Sequence, residues 1–441
     1  MPAYLDHAAT TPLRPEALEA MQPWLSDHFG NPSGSHSVAR AARQAIDEAR
    51  DQVASVLGTA PGDVVFTSGG TEADNLALLG RAGARPGPVV VSAIEHHAVL
   101  HAASAAERAF AAPVRVVKVT KDGVINLDDL PRALDKTVSI VSVQLVNSEV
   151  GTVQPLAEVA RLVRRRAPAA VLHTDAVQAV PWFDVAELAA GADMVSISAH
   201  KFGGPQGVGA LAFRRAVKLE PLFYGGPQER ERRAGTHNVA GIVGMAAALG
   251  ATAGQRTAAC ERVRKQRERL ARGLLDSIPG ASETAAGQEK APGHCHLLIG
   301  GVESEALLVV LDQLGLAASA GSACASGAME PSHVLLAMGY SPSTALGALR
   351  LTLGHTTTED EVDLALRAVP AAVSRLRPAG PRLPAPGLSG AGPPGPGVPA
   401  TDGLLATDGV PATGVSGASG VPEQVASGAI PRAKLAAVEG R

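Results

Sequence analysis

Aromatic side chains make up only 3% of this 441-residue chain, with two Trp, three Tyr and seven Phe. A core without them must rest on Val, Leu, Ile and close alanine packing, which suits an α/β protein better than a β-sandwich. Cysteine is just as scarce. The three, Cys260, Cys295 and Cys324, are too few and too scattered for a disulfide framework, and a reducing, cytoplasmic setting is expected. Charge is nearly balanced at a net −3, which argues against a nucleic-acid or membrane partner held by electrostatics alone. No long apolar run occurs either. The longest uncharged stretch, 236–255, is mostly Ala and Gly broken by polar residues. It predicts a packed helix capped near Thr236 or Asn238, not a membrane span. The first twenty residues carry an early Asp6 and no apolar segment, so no secretory signal is expected.

What the chain does have is alternation. Short β-branched runs at 64–67, 88–94, 114–119, 138–146, 169–177, 193–200 and 209–213 are separated by longer helical patterns. Most runs are apolar nearly throughout, as strands covered on both faces must be. The intervening helices imply crossovers and a mainly parallel seven-stranded sheet. One helix, 36–57, repeats Val38, Ala42, Ile46, Ala49, Val53 and Val56 at helical spacing. After about residue 250 the pattern changes. A highly charged, basic helix (260–275) precedes a strand-like "HCHLLIGG" (294–301) and a further helix. The reading is a large domain over 16–250 and a smaller α+β domain over 251–377, joined by the N-terminal segment 1–15. The tail, 378–441, holds 13 Gly and 11 Pro with no aromatics. It cannot bury enough apolar surface to offset its ordering entropy and is expected to be disordered.

In a sheet of this kind ligands gather at the carboxyl ends of the strands, and the reactive-looking residues fall there. "SAHKFGGPQGVG" (198–209) places Lys201 just beyond a strand. Alone, such a lysine is usually a solvated charge. An amine that condenses with the aldehyde of pyridoxal phosphate needs three supports: an anion for the pyridine nitrogen, donors for the phosphate, and something stacked on the ring. Each has a candidate. "HTDAVQ" (173–178) ends a strand with Asp175, placed to pair with a protonated ring nitrogen, and Gln178 follows within reach of the ring hydroxyl. "TSGGTEADN" (67–75) opens a helix whose backbone N–H groups around Gly70 and Thr71 suit a phosphate, with Ser198 and His200 as further donors. "EHHAV" (95–99) supplies a histidine to lie over the ring. No G-x-G-x-x-G follows the first strand, which lowers a dinucleotide-binding reading.

These motifs occur in an order that closely resembles the cysteine desulfurases, the NifS/IscS-like branch of the class V aminotransferase group of fold-type I pyridoxal phosphate enzymes. The matching segments include "YLDHAATTP" (4–12), "GNPSGSH" (30–36), "FTSGGTEADNLAL" (66–78), "VNSEVGTVQPL" (146–156), "GGPQERERRAGTHNVAG" (225–241), "SAGSACASGAMEPSHVLLAMG" (319–339) and "ALRLTLG" (348–354). About 375 residues are covered, nearly everything but the tail. The resemblance implies a covalent aldimine of pyridoxal 5'-phosphate on Lys201, with Asp175 at the pyridine nitrogen and Gln178 at the ring oxygen. It makes His96 the stacking histidine and acid/base. Gly70, Thr71, Ser198 and His200 form the phosphate cradle. Thr236 would reach the phosphate from a neighbouring subunit, which implies a homodimer with shared sites. Asn147 and Arg350 would hold the cofactor oxygen side and the substrate carboxylate. Ser148, Gln206, Pro227, His237 and His355 stand where the family usually has Asn, Lys, Gly, Glu and Arg.

Cys324 selects the reaction. It lies among glycines and small residues that predict a mobile loop, fit for a thiolate that attacks substrate sulfur and carries a persulfide outward. The resemblance implies that L-cysteine becomes L-alanine and that the persulfide passes to an acceptor, such as an iron–sulfur scaffold or a tRNA-thiolation enzyme. It also implies a transient role for Cys324 as a ligand of a nascent iron–sulfur cluster shared with a scaffold. Alternatives on the same scaffold are a selenocysteine lyase, a cysteine-sulfinate desulfinase or an aminotransferase; a non-catalytic sulfur-relay protein is another. Cys295 in "HCH" suggests a metal, but on a strand His294 and His296 share one face and Cys295 points to the other. Cys260 has no evident chemical partner.

Overall fold

In the computed structural model, which describes residues 2–214, 217–321 and 331–377, the chain opens on a two-residue strand, β1 (Ala3–Tyr4). Seven strands then build the main sheet: β2 (Val64–Thr67), β3 (Val89–Ser92), β4 (Val114–Val117), β5 (Ile140–Ser142), β6 (Val171–Asp175), β7 (Met194–Ser198) and β8 (Gly209–Phe213). Their order is β2-β8-β7-β6-β5-β3-β4. Only β8 runs antiparallel to its neighbours; the other six point the same way. Each of the seven β-branched runs thus became one strand of one sheet.

Both faces of this sheet are covered, which is why the runs read as continuous rather than alternating. Val64 and Phe66 face one apolar cluster while Val65 faces the other; Leu172 and Val171 divide in the same way. Helix Ser37–Leu57 packs on the first cluster through Ile46, Ala49 and Val53, as its spacing predicts, with Ala39 and Ala42 also buried. Val38 is exposed instead. Helices Gly70–Ala84 and His97–Phe110 cover the second cluster.

The uncharged and the basic stretches after residue 236 form one helix, Val239–Ser277, without a break at 250. The Asn238 side chain caps it by accepting from the Gly241 N–H at 3.0 Å. The change in composition marks a change in what the helix lies against. Its first half buries Ile242, Met245 and Leu249, and its second half buries Val263, Leu270 and Leu274 between solvated arginines. Beyond it, β9 (Ala281–Glu283), β10 (His294–Ile299), β11 (Leu316–Ala317) and β12 (Ala348–Thr352) complete the strands. β12, β10 and β9 form an antiparallel sheet, and β1 pairs in parallel with β11. The N-terminal segment therefore joins the C-terminal elements, then crosses to the main sheet: Thr11 N–H donates to His200 O and Arg14 N–H to Gly203 O. These contacts place residues 6–14 against the lysine turn. All of this lies within one compact unit, Met1–Gly380.

Residues Glu229, Arg230 and Glu231 take φ of 47, 57 and 64°, a run of left-handed residues without a glycine. Such backbone costs of order 1 kcal/mol per residue and needs compensation. Glu229 provides it: its buried carboxylate accepts two bonds from Arg50 (2.6 and 2.8 Å), one from Phe66 N–H (3.0 Å) and lies 2.7 Å from His237 Nε2. Burial pushes this carboxyl up, but the bonds to His237, Arg50 and Phe66 outweigh it and hold it at about 2. Its stabilising contribution is full above the ordinary glutamate value near ~4.3 and is lost as pH falls towards 2. Glu229→Ala strips a buried cation of its partner and is expected to cost about 3 kcal/mol in urea unfolding at pH 7. The deficit should shrink as acid removes the same contribution from the parent protein.

Candidate active site

The carboxyl ends of β2, β3, β6 and β7 lie along one edge of the main sheet. Asp175 is the last residue of β6 and Ser198 the last of β7; Lys201 closes the short turn Ala199–Lys201 that follows. Lys201 Nζ donates to the carbonyls of Ala8 (2.5 Å) and Ala9 (2.9 Å), and Gln178 Nε2 donates to the same Ala8 carbonyl at 2.8 Å. Lysine and glutamine thus converge on one backbone oxygen. Burial pulls the Lys201 amine down to about 8, and Arg350 adds to this against Asp175 and Asp6. About a tenth of it is then free amine at pH 7, where an ordinary lysine offers well under a hundredth.

Asp175 accepts Val177 N–H at 2.9 Å. Burial raises its carboxyl; His96, Val177 N–H and Lys201 oppose the rise. His96 caps helix His97–Phe110, its Nδ1 accepting Ala98 N–H at 3.1 Å. The residue is exposed to solvent, yet desolvation by the surrounding protein holds its ring below the usual imidazole range against the opposing pull of Asp175. Lys201, Asp175 and His96 are thereby within electrostatic reach of one another, and Arg350 acts on Lys201.

Gly70 opens its helix three residues beyond β2, leaving backbone N–H groups unpaired in the first turn. A Cβ on Gly70 would come within 2.8 Å of Val177 and 3.4 Å of Ser198, so this approach of helix to strand ends tolerates no side chain. Thr71 is exposed beside it, and Ser198 is buried. His200 pairs with Thr10 through Nδ1 at 3.1 Å, and burial holds its ring down at about 4. Asn147 is buried and fully engaged: its oxygen accepts Glu149 and Val150 N–H, and its amide donates to Ile94 O. Arg350, on β12, donates to Asp6 (2.7 Å) and to the Ser148 carbonyl (3.0 Å). Thr236 is not brought to this place within its own chain; it is exposed beside Tyr224, Gln228 and Arg233. Cys324 and the tail lie outside the described residues.

Sequence reasoning assigned no role to Asp6, Asp74 or Glu95. Asp6 sits in the quoted "YLDHAATTP", the only signal it offered. Asp74 and Glu95 are fully buried, their carboxyls raised by burial and by the proximity of Asp175. Three carboxyls around one floor favour a cation, and a protonated pyridine nitrogen facing Asp175 would be one. Helix N–H groups, the Ser198 hydroxyl and the bare Gly70 suit a phosphate. A lysine amine lowered to about 8 suits an aldehyde. The residues present therefore fit pyridoxal phosphate. Cys295 is buried on β10, and among the described residues no group of three His, Cys, Asp or Glu is arranged to hold a metal ion.

Comparison with known proteins agrees with this geometry. The aminotransferase class-V family model matches residues 3–365. An IscS-like cysteine desulfurase of Mycobacterium tuberculosis is 42% identical over 384 residues, 85% of this chain and 97% of that one. A solved NifS-like protein superposes with a TM-score of 0.79 at 34% identity, covering 85% of this chain and all of the other. The protein SspA, solved in complex with cysteine, gives 0.70 at 30% identity over 81% of this chain and the whole of its own. From β1 to the last helix, and not merely around the lysine, this chain belongs to the class-V aminotransferase family, among its IscS- and NifS-like cysteine desulfurases.

Proposed function

We propose that the site takes the sulfur from L-cysteine with Lys201, Asp175, His96, Arg350 and Cys324 in distinct roles. The chain is a pyridoxal-phosphate-dependent cysteine desulfurase. When bound, the cofactor supplies an electron sink for the charge left on the substrate α-carbon. Gly70, Thr71, Ser198 and His200 hold its phosphate, Asp175 faces its ring nitrogen, Gln178 its ring oxygen, and His96 lies against the ring. Arg350 takes the substrate carboxylate, for which a guanidinium fork is the natural partner, and Asn147 holds the cofactor oxygen side beside it. Lys201 removes the α-proton and returns it, with His96 as second acid/base. The Cys324 thiolate attacks the substrate sulfur; the carbon–sulfur bond breaks, its electron pair stays with carbon, and that carbon takes a proton. The balance is one cysteine plus one enzyme thiol giving one alanine plus one enzyme persulfide.

The observation that carries this reading is the meeting of Lys201 and Gln178 at the Ala8 carbonyl, within reach of Asp175 and Arg350. The finer parts belong to the same proposal. A second copy supplies Thr236 to the phosphate; the persulfide goes to an iron–sulfur scaffold or a tRNA-thiolation enzyme; Cys324 briefly ligates a nascent cluster; and the setting is cytoplasmic. No described helix is long and apolar enough to cross a membrane. The division into a large part over 16–250 and a small part over 251–377 is likewise retained as a proposal. Incubation with L-cysteine and a thiol reductant should release alanine and sulfide in equal amounts. Alanine without sulfide, or neither, would contradict the reading.

A further inference from the structure

Glu149 lies two residues beyond Asn147 and is 2% exposed. Its Oε2 accepts the Ser332 hydroxyl at 2.8 Å. Its Oε1 has no hydrogen-bond partner among the described residues and lies 3.7 Å from His296 Nε2, which also has none. A Cβ on Gly321 (φ +99°) would fall 2.5 Å from the Glu149 side chain, so the backbone at 321 packs directly on it. Arg350 Nη1 donates to the carbonyls of Ser148 (3.0 Å) and Gly321 (3.4 Å), the residues bonded to and packed on Glu149. The carboxyl is therefore wedged where the arginine's two carbonyl acceptors and the residue at 332 meet.

We propose that Glu149 is a positioning residue that fixes the carbonyls holding Arg350 and, through its own charge, governs how strongly Arg350 grips a substrate carboxylate. This rests on the reading of Arg350 as the carboxylate site. Two buried unpartnered atoms 3.7 Å apart leave no room for a bridging water, and each is costly while unsatisfied. At that distance no direct hydrogen bond forms, so an ionised Oε1 is left without a donor and the neutral carboxyl is favoured. His296 Nδ1 pairs with the Thr284 hydroxyl at 3.1 Å.

Burial favours the neutral carboxyl, while the neighbouring Arg350 opposes it at Glu149 and helps to keep His296 neutral. Glu149 faces Arg350 from β12, His296 from β10, the Ser332 hydroxyl and the Gly321 backbone. His296 also feels Lys290 and Arg350, and burial takes it down to about 3, so it stays neutral. His294 on the same strand is likewise neutral at about 3, through burial and then Arg350 and Lys290. Lys290 is paired with Glu283 and feels Arg267. Burial raises Glu149 to about 7 against Ser332 and Arg350. With Glu149 neutral, Asp6 is the carboxylate bonded to Arg350 and the guanidinium retains attraction for a second. As pH rises through about 7, Glu149 ionises and competes for it.

The test uses the full, cofactor-loaded protein and L-alanine, whose own groups do not titrate between about pH 6 and 8.5. Dissociation constants are read from the cofactor absorbance. The parent should bind about fivefold more weakly at pH 8.5 than at pH 6, about 1 kcal/mol. Glu149→Gln should bind as the parent does at pH 6 and lose the slope. Glu149→Ala should bind weakly throughout, because the carbonyls are no longer held. Infrared difference spectra of cofactor-free protein should show a protonated carboxyl that disappears near pH 7 and is absent from Glu149→Gln. An unchanged slope in Glu149→Gln overturns the proposal. Arg350→Ala separates the two levels: if alanine binds this variant as it binds the parent, the carboxylate reading fails first.

Discussion

Lys201→Ala is expected to lower sulfide production from L-cysteine by about 10³-fold or more, in the upper range of losing a positioned acid/base and the covalent handle with it. The fold should survive. Among the described residues the lysine amine donates only to the Ala8 and Ala9 carbonyls, and the first of these keeps its bond from Gln178. Unfolding midpoints of parent and variant in cofactor-free form should therefore agree within a few tenths of a kcal/mol, the usual range for a change outside the core. Lys201→Arg should fare no better, because a guanidinium stays protonated and cannot act as a free amine. Sulfide release by either variant at a tenth of the parent rate would mean that another amine does the work.

The second large effect concerns the thiol. Cys324→Ala should abolish sulfide release, with a loss of about 10³-fold or more on the scale of a removed nucleophile, while the cofactor absorbance and its change on adding L-cysteine persist. That combination separates the two halves of the reaction. On the proposed reading, binding and proton transfer fall to the sheet edge and the turn at 201, and sulfur capture to position 324. Mass spectrometry of the parent after one turnover should find one added sulfur on the peptide that contains Cys324. Sulfur on Cys260 or Cys295 instead would assign the thiol wrongly. Both carry thiols that burial pushes up, a poor start for a nucleophile.

Much of the sheet was legible because burial on both faces leaves a plain trace: every β-branched run between 64 and 213 became a strand, and Lys201, Asp175 and His96 fell at strand ends on one edge. Gly70 was legible as a turn, though not as a place where Val177 allows no side chain. The single helix Val239–Ser277 was not. Its alanine-rich and arginine-rich halves pack against different neighbours, so a change of surroundings read as a change of element. Nor could the carboxyls be weighed. Asp6 and Arg350 are 344 residues apart, and Glu149 depends on Gly321, His296 and Ser332. A glutamate's chemistry follows from its burial and from who faces it, and one sequence states neither. Thr236 is exposed within one chain, and the role proposed for it needs a second copy that a single chain does not contain.

The most direct measurement is chemical trapping. Reduction of the cofactor-loaded protein with sodium borohydride, followed by digestion and peptide mass mapping, reads which nitrogen carries the cofactor. The account predicts a single modified peptide, with the reduced pyridoxyl phosphate on the side chain of Lys201. A modification on any other lysine, or a protein that loses all of its cofactor on denaturation after the reduction, contradicts it.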